Sequence, residues 1–449
     1  MIALLCFARM GMAQEPPPTP DPEQEVEPRP EEEVQPAEEA KPEEQAEPSD
    51  GMPIPVPIAV QEETGSLGDM TFIDDVFQSP RNRWGFSLSA YEAYTTDVFV
   101  GDEPSESSGI TAFMPRVFLN LGKRKSRLHL DLGVGFRLYN NHGELNSGDY
   151  YAGAQYSYQL SKKTSFQLAD QFTSTYNDAW SFLSLYSPLH YDPASSNEVL
   201  LNMQRINRNS AVARLSHEIN RKARFSVFGS HQWYDYSQST LSNSDSVEAG
   251  GNFYYRMAKW LYFSSSISTY WNFASEDLSD TRIYRLQIGG LEFELGNSWR
   301  VWASGGIGFS DYEGYNRAFE DINAGIGHTS ENASFSLRYQ RGFTTAIGIS
   351  ELLTSDIFTA NYGYRVTRWM NAHLRAYYYR SSQLDRDSLL ETFSGGGGLE
   401  FALRRNLSLT MNASYQNQQE SDFSVQGLDL NRFGGYIGLQ YVWPSRRRN

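Results

Sequence analysis

Arginine recurs in this sequence on one parity of period-two stretches, and that placement has chemical consequences. Arg116, Arg127, Arg137, Arg214, Arg224, Arg256, Arg285, Arg338, Arg365, Arg375 and Arg404 all fall on the parity opposite to the apolar residues. The acids on that parity are fewer: Asp131, Glu218, Glu248, Glu292, Glu294 and Glu400. If this face lines an aqueous path, eleven cations against six anions create a field that favours anionic solutes. The competing reading is that the arginines pair with the carboxylates and stiffen a wall. Rings share the parity, among them Tyr254, Tyr262, Tyr270, Trp302, Tyr377 and Tyr379, with Tyr139, Tyr151 and Tyr436. Flat rings beside hydrogen-bonding groups can stack on sugar faces. They can also fill an interior, and filling is the favoured reading.

Chemistry of other kinds finds little support. The seven histidines, His129, His142, His190, His217, His231, His328 and His373, never fall at a metal-site spacing such as HExxH. No GxSxG elbow is present, and Asp131 two residues from His129 is proximity alone. The single cysteine, Cys6, removes disulfides, cysteine metal sites and thiol catalysis. Neither an enzyme, a cofactor, a metal centre nor a nucleic-acid interface is expected.

The elements that must carry these side chains are strands. In Leu407–Tyr415 the odd positions are Leu, Leu, Met, Ala and Tyr and the even ones Ser, Thr, Asn and Ser. Arg127–Tyr139 repeats the rule, with Leu128, Leu130, Leu132, Val134, Phe136 and Leu138 on one face. A β-sandwich also alternates, but its strands average about five or six residues. Runs this long suit a tilted crossing of a bilayer, about 9 to 11 residues. Between 84 and 443 the pattern predicts eighteen strands, from 84–98 to 432–443 and including 321–329, 357–367 and 407–417. Short turns such as 122–126, 161–163 and 220–222 alternate with longer polar linkers such as 102–108, 238–246 and 420–431. An even count leaves both termini on the short-turn, periplasmic side. Trp84, Trp233, Trp260, Tyr315, Trp369 and Trp443 recur at predicted strand ends, as interfacial girdles require.

Three irregularities are expected to matter. The apolar parity of 282–296 flips at Gly289–Gly290, which predicts a β-bulge. Glu92 and Asp170 fall on the lipid parity without an evident partner. Gly395–Gly398, within a strand pattern, suggests close packing or room for a plug.

The fold class expected is therefore all-β: an antiparallel transmembrane β-barrel of about 18 strands, preceded by a disordered periplasmic segment. Residues 1–13 read as the end of a signal peptide, with Gly11 and Ala13 at the small-residue positions of a cleavage site. Residues 14–64 read as an extended linker, since 15–63 carry 16 acids against Arg29 and Lys41, together with 13 prolines. Residues 65–83 form a lead-in, 84–443 the barrel and 444–449 a basic tail. The longest loop, Ala179–Arg205, is expected to fold inward as a constriction or to lie outside as a lid. Although 14% of residues are aromatic, the mean hydropathy is only −0.53, and no apolar run is long enough for a helical span.

The Tyr/Gly-rich strands at Gly395–Phe401 and Gly434–Tyr441 and the aromatic final strand ending Leu439-Gln440-Tyr441-Val442-Trp443 resemble Gram-negative outer-membrane porin-type β-barrels. The resemblance is to the β-barrel porins that accompany exopolysaccharide secretion. It implies a passive outer-membrane channel, with polymer export as the leading specialised role. Nutrient uptake through a general porin is the runner-up, and a plugged barrel acting as adhesin or anchor is the third reading. The expected partners are outer-membrane lipid, a saccharide or anionic solute, and a periplasmic export component or the cell wall reached through the linker. Unlike typical family members, the chain continues past its last aromatic residue to Asn449.

Overall fold

In the computed structural model, the structure describes residues 83–97, 106–176, 205–237, 243–274, 281–296, 298–312, 315–345, 352–383, 388–421 and 429–443. The expected signal sequence, linker, basic tail and almost all of the 179–205 loop lie outside the described residues. Within them the chain forms eighteen strands. These are β1 Arg83–Thr95, β2 Ser108–Gly122, β3 Ser126–Tyr139, β4 Ser147–Gln159, β5 Thr164–Tyr176 and β6 Arg205–Glu218. There follow β7 Ala223–Tyr236, β8 Ser244–Arg256, β9 Leu261–Ala274, β10 Thr281–Leu295, β11 Trp299–Tyr312 and β12 Tyr315–Thr329. The last are β13 Ala333–Thr345, β14 Leu352–Thr367, β15 Met370–Gln383, β16 Leu389–Arg404, β17 Leu407–Ser421 and β18 Leu430–Trp443. A single 3₁₀ turn, Gly143–Leu145, joins β3 to β4 among the described residues.

Each strand pairs antiparallel with its sequence neighbours. The sheet closes where β1 meets β18, from Phe86 opposite Trp443 to Thr95 opposite Gly434. Closure leaves no edge, so every strand has a partner on both sides, as lipid demands of backbone amides and carbonyls. Burial is inverted relative to a soluble protein. Ile267, Ile288, Leu132 and Leu374 are all about 60% exposed on the outer face, whereas inward Asp149, Glu248 and Arg432 are buried. Exposed Trp84, Trp260, Trp299, Trp369 and Trp443 ring the short-turn end, and Trp84 packs on Trp443 with ring centroids 5.0 Å apart across the closure. A closed barrel with an apolar outer belt and an aromatic girdle is an integral outer-membrane barrel.

The parity flip in β10 is a bulge. Gln287 faces Gly306 and Gly289 faces Gly305, leaving Ile288 as the extra residue. Against β9 the register shifts between Gln287 and Gly290. Tyr284, Leu286 and Ile288 below the shift and Leu291 above it are thereby all exposed on the outside. Glu92 and Asp170 do lie on the outer face, and each has a partner there. Thr111 Oγ1 donates to Glu92 Oε1 at 2.9 Å, and Asn209 Nδ2 donates to Asp170 Oδ1 at 2.8 Å. Three strands run longer than their apolar pattern: β12 starts at Tyr315 rather than 321, β14 at Leu352 rather than 357, and β17 ends at Ser421 rather than 417. These extensions all point toward the long-loop end, where the outer face is no longer apolar. There Arg341, from β13, pairs with Glu320 and Asp356 instead of meeting lipid tails.

Candidate functional site

The lumen wall is built by the inward parity of every strand. Arg116 from β2 pairs with Asp131 from β3, and its guanidinium lies 5.2 Å from the Tyr151 ring centroid on β4. Arg137 makes a two-pronged contact with Asp149, both bonds 2.8 Å, and donates a further 2.9 Å bond to Thr175 Oγ1. This pair is the most deeply buried of the ion pairs described, with the two side chains 5% and 1% exposed. Arg224 meets Glu218 at 3.3 Å, near the short-turn mouth. On the opposite wall Arg300 pairs with Glu292 and sits 5.9 Å from the Trp302 ring. Arg338 Nε and Trp302 Nε1 both donate to Asn323 Oδ1 at 3.3 Å. Arg285 uses its guanidinium to bond the Phe343 carbonyl at 2.7 Å.

The remaining predicted side chains fall into two groups. Arg214 and Arg375 lie on the inward faces of β6 and β15. Arg127 and Arg365 are exposed at the short-turn mouth, and Arg256 lies at the same end beside Tyr262. Arg404 lies elsewhere: a register shift after Ala402 sets it opposite Leu407, which belongs to the outward row, at the rim. Arg208, Arg300, Arg317 and Arg432 on the positive side and Asp149, Asp321 and Glu420 on the negative side also face the lumen but are missing from the set expected from the sequence. Four cations against three acids leave the interior its excess of arginine. The omission arose because these residues sit near strand ends or beside the bulge, where apolar alternation fades.

The rings lie against the wall. Tyr254 and Tyr262 are 5.4 Å apart, and Tyr262 Oη donates to Glu294 at 3.0 Å. Tyr377 and Tyr379 stack at 6.3 Å with 10° between planes, both buried. Trp302 crosses Gly325 on β12, occupying the space a Cβ would need. His373 likewise lies over Gly398 and reaches Asn412 on β17 at 3.2 Å, while Leu374 covers Gly397, so two positions of the β16 glycine run have no room for a Cβ.

One constriction element was not legible in the pattern. Pairing between β12 and β13 stops at Ile322 and Arg341 although both strands continue. Above that point Phe343 abandons its expected outward position and packs on Ile283, with Phe319 and Tyr270 against the pair. Phe319 and Phe343 have ring centroids 3.9 Å apart. The upper part of β13 therefore leans into the lumen, with Arg285 capping its backbone. Gly342 is the only local sign in the sequence. Inward Glu248, Leu353 and Leu390 on the long-loop half are fully buried, while at the short-turn end Arg127 and Arg365 are exposed and Tyr262 and Glu292 are buried.

No family model matches the chain, and no curated protein is similar to it. Among solved structures it is similar to Pseudomonas aeruginosa OccK2 (OpdF), at 10% identity and a TM-score of 0.46, covering 80% of this chain and 98% of that one. Acinetobacter baumannii OccAB4 is similar at 12% identity and a TM-score of 0.44, with coverage of 81% and 98%. The outer membrane protein OpdK from Pseudomonas aeruginosa is similar at 11% identity and a TM-score of 0.44, with coverage of 80% and 99%. OccK2 has also been solved with glucuronate and OpdK with vanillate. These are likenesses of barrel architecture, and the functional reading rests on the wall of this chain.

Proposed function

We propose that the barrel is a passive pore that carries hydrophilic, predominantly anionic solutes across the outer membrane. The observation that carries this reading is a closed barrel whose inner wall is polar and richer in arginine than in carboxylate. Four arginines, Arg116, Arg137, Arg224 and Arg300, are neutralised by acids and brace the wall. Arg338 is buried in the wall and bonds the neutral amide of Asn323, and the exposed Arg127 and Arg365 set positive charge at the short-turn mouth. Export of an acidic exopolysaccharide is the specialised form of this proposal, with the acidic linker reaching a periplasmic component. Uptake of small acids is the second reading. The inward lean of β13 favours it, because a narrowed lumen sorts small solutes better than it passes a polymer. A passive pore also leaves no role for catalysis.

Swelling of proteoliposomes tests the proposal. Glucuronate and vanillate should enter faster than neutral sugars of equal size. Acidic oligosaccharides should enter if export is the role and be refused if uptake is. Equal entry of neutral and acidic solutes would contradict the charged-pore reading.

A further inference from the structure

The short-turn rim is lopsided in charge. The turn between β2 and β3 reads Lys123-Arg124-Lys125, and that between β4 and β5 ends in Lys162-Lys163. The next ends in Arg221-Lys222, and the fourth carries Lys259. These four turns are consecutive around the barrel, contain no acid, and expose all their basic side chains. The following two turns, 296–298 and 330–332, hold no base, and the second holds Glu331. The last two turns carry one base each, Arg368 and Arg405, so eight of the ten cations on the short turns are gathered into a crescent spanning β2 to β9.

Apolar side chains accompany the bases. Leu121, Leu160, Ile219, Met257 and Trp260 flank them at the same rim and are all exposed. Backbone bonds hold the turns in place. Gln159 N–H donates to the Lys125 carbonyl and Arg256 N–H to the Lys222 carbonyl, both at 2.7 Å, while Lys163 Nζ reaches the Ile219 carbonyl at 3.3 Å. The crescent is a rigid edge that alternates apolar and cationic groups where lipid tails give way to water. Apolar groups dip below the headgroup plane while ammonium and guanidinium groups stay at phosphate level, the arrangement by which amphipathic surfaces hold anionic lipid. A soluble anion would have no use for exposed Leu160, Ile219 and Met257. The geometry points to this crescent as a docking surface for anionic phospholipid headgroups in the periplasmic leaflet of the outer membrane. The lipid would sit in an annulus on one side of the barrel, beside β4 to β9.

Native mass spectrometry of the full chain, taken from micelles with equal phosphatidylglycerol and phosphatidylethanolamine, tests this. Wild type should retain phosphatidylglycerol preferentially. K162Q/K163Q/R221Q/K222Q should lower that preference at least about tenfold, because each base removed weakens attraction to the anionic headgroups. The arginine-for-lysine variant K162R/K163R/K222R should keep it. R368Q/R405Q, outside the crescent, should cost less. Heat-modifiable gel mobility confirms folding; if the quadruple variant fails to fold, K162Q/K163Q and R221Q/K222Q are measured separately. An unchanged preference in the folded variants overturns the proposal. So does stripping of the lipid by inorganic phosphate or by polyglutamate at constant ionic strength, since the surface would then be a general anion site or an acidic-protein site.

Discussion

Arg137 and Asp149 show what a buried charge does in this wall. With both members desolvated and joined by two bonds, removing one strands the other. Asp149→Ala should therefore destabilise the barrel by roughly 3 to 5 kcal/mol, measured as the shift in urea unfolding midpoint in lipid vesicles. Replacing both by apolar residues of similar volume should cost far less. Phe343 acts differently, since it anchors the inward lean of β13 on Ile283 and Phe319. Phe343→Ala should free that segment and raise single-channel conductance; an unchanged conductance would show that β13 does not narrow the path. Trp302 over Gly325 makes a third case, because a Cβ there would collide with the indole and with the Leu337 carbonyl. Gly325→Val should displace the ring, reduce folding yield, and leave Gly289→Val as a harmless control, for nothing lies within 4 Å of a Cβ at Gly289.

At the level of strands, the β10 bulge gives a prediction with opposite outcomes for two deletions in one element. Removing Gly289 shortens the bulge by one residue and lets Ile288 enter a continuous ladder with β9 and β11, so the barrel should still fold. Removing Leu286 instead leaves the bulge and shifts the alternation below it, sending Tyr284 inward and Arg285 toward lipid, so folding should fail. Heat-modifiable mobility separates the two. Strand number, parity and the short-turn end were legible because lipid imposes period two on every crossing, as in Leu407–Tyr415. The bulge was legible for the same reason. The upper ends of β12, β14 and β17 were not, because above the bilayer Arg341, Glu320 and Asp356 replace apolar residues and the alternation carries no information. The lean of β13 was hidden because Phe343 keeps the lipid-facing parity in sequence while its ring turns inward. Arg404 was misplaced by the register shift after Ala402, which no local pattern marks.

For the molecule as a whole, the sign of the lumenal field is the central claim. In the proposed reading the braced arginines contribute rigidity, and the exposed Arg127 and Arg365 at the short-turn mouth contribute selectivity. Because such a field is screened over about 10 Å at 0.1 M salt, anion preference should weaken as salt rises. The most direct measurement is the reversal potential of single channels, formed by the refolded full chain in planar bilayers under a salt gradient. A stable conductance with anion preference, reduced in R338S/R365S/R375S, is the predicted result. A folded barrel that passes no current, or one that prefers cations, would contradict it.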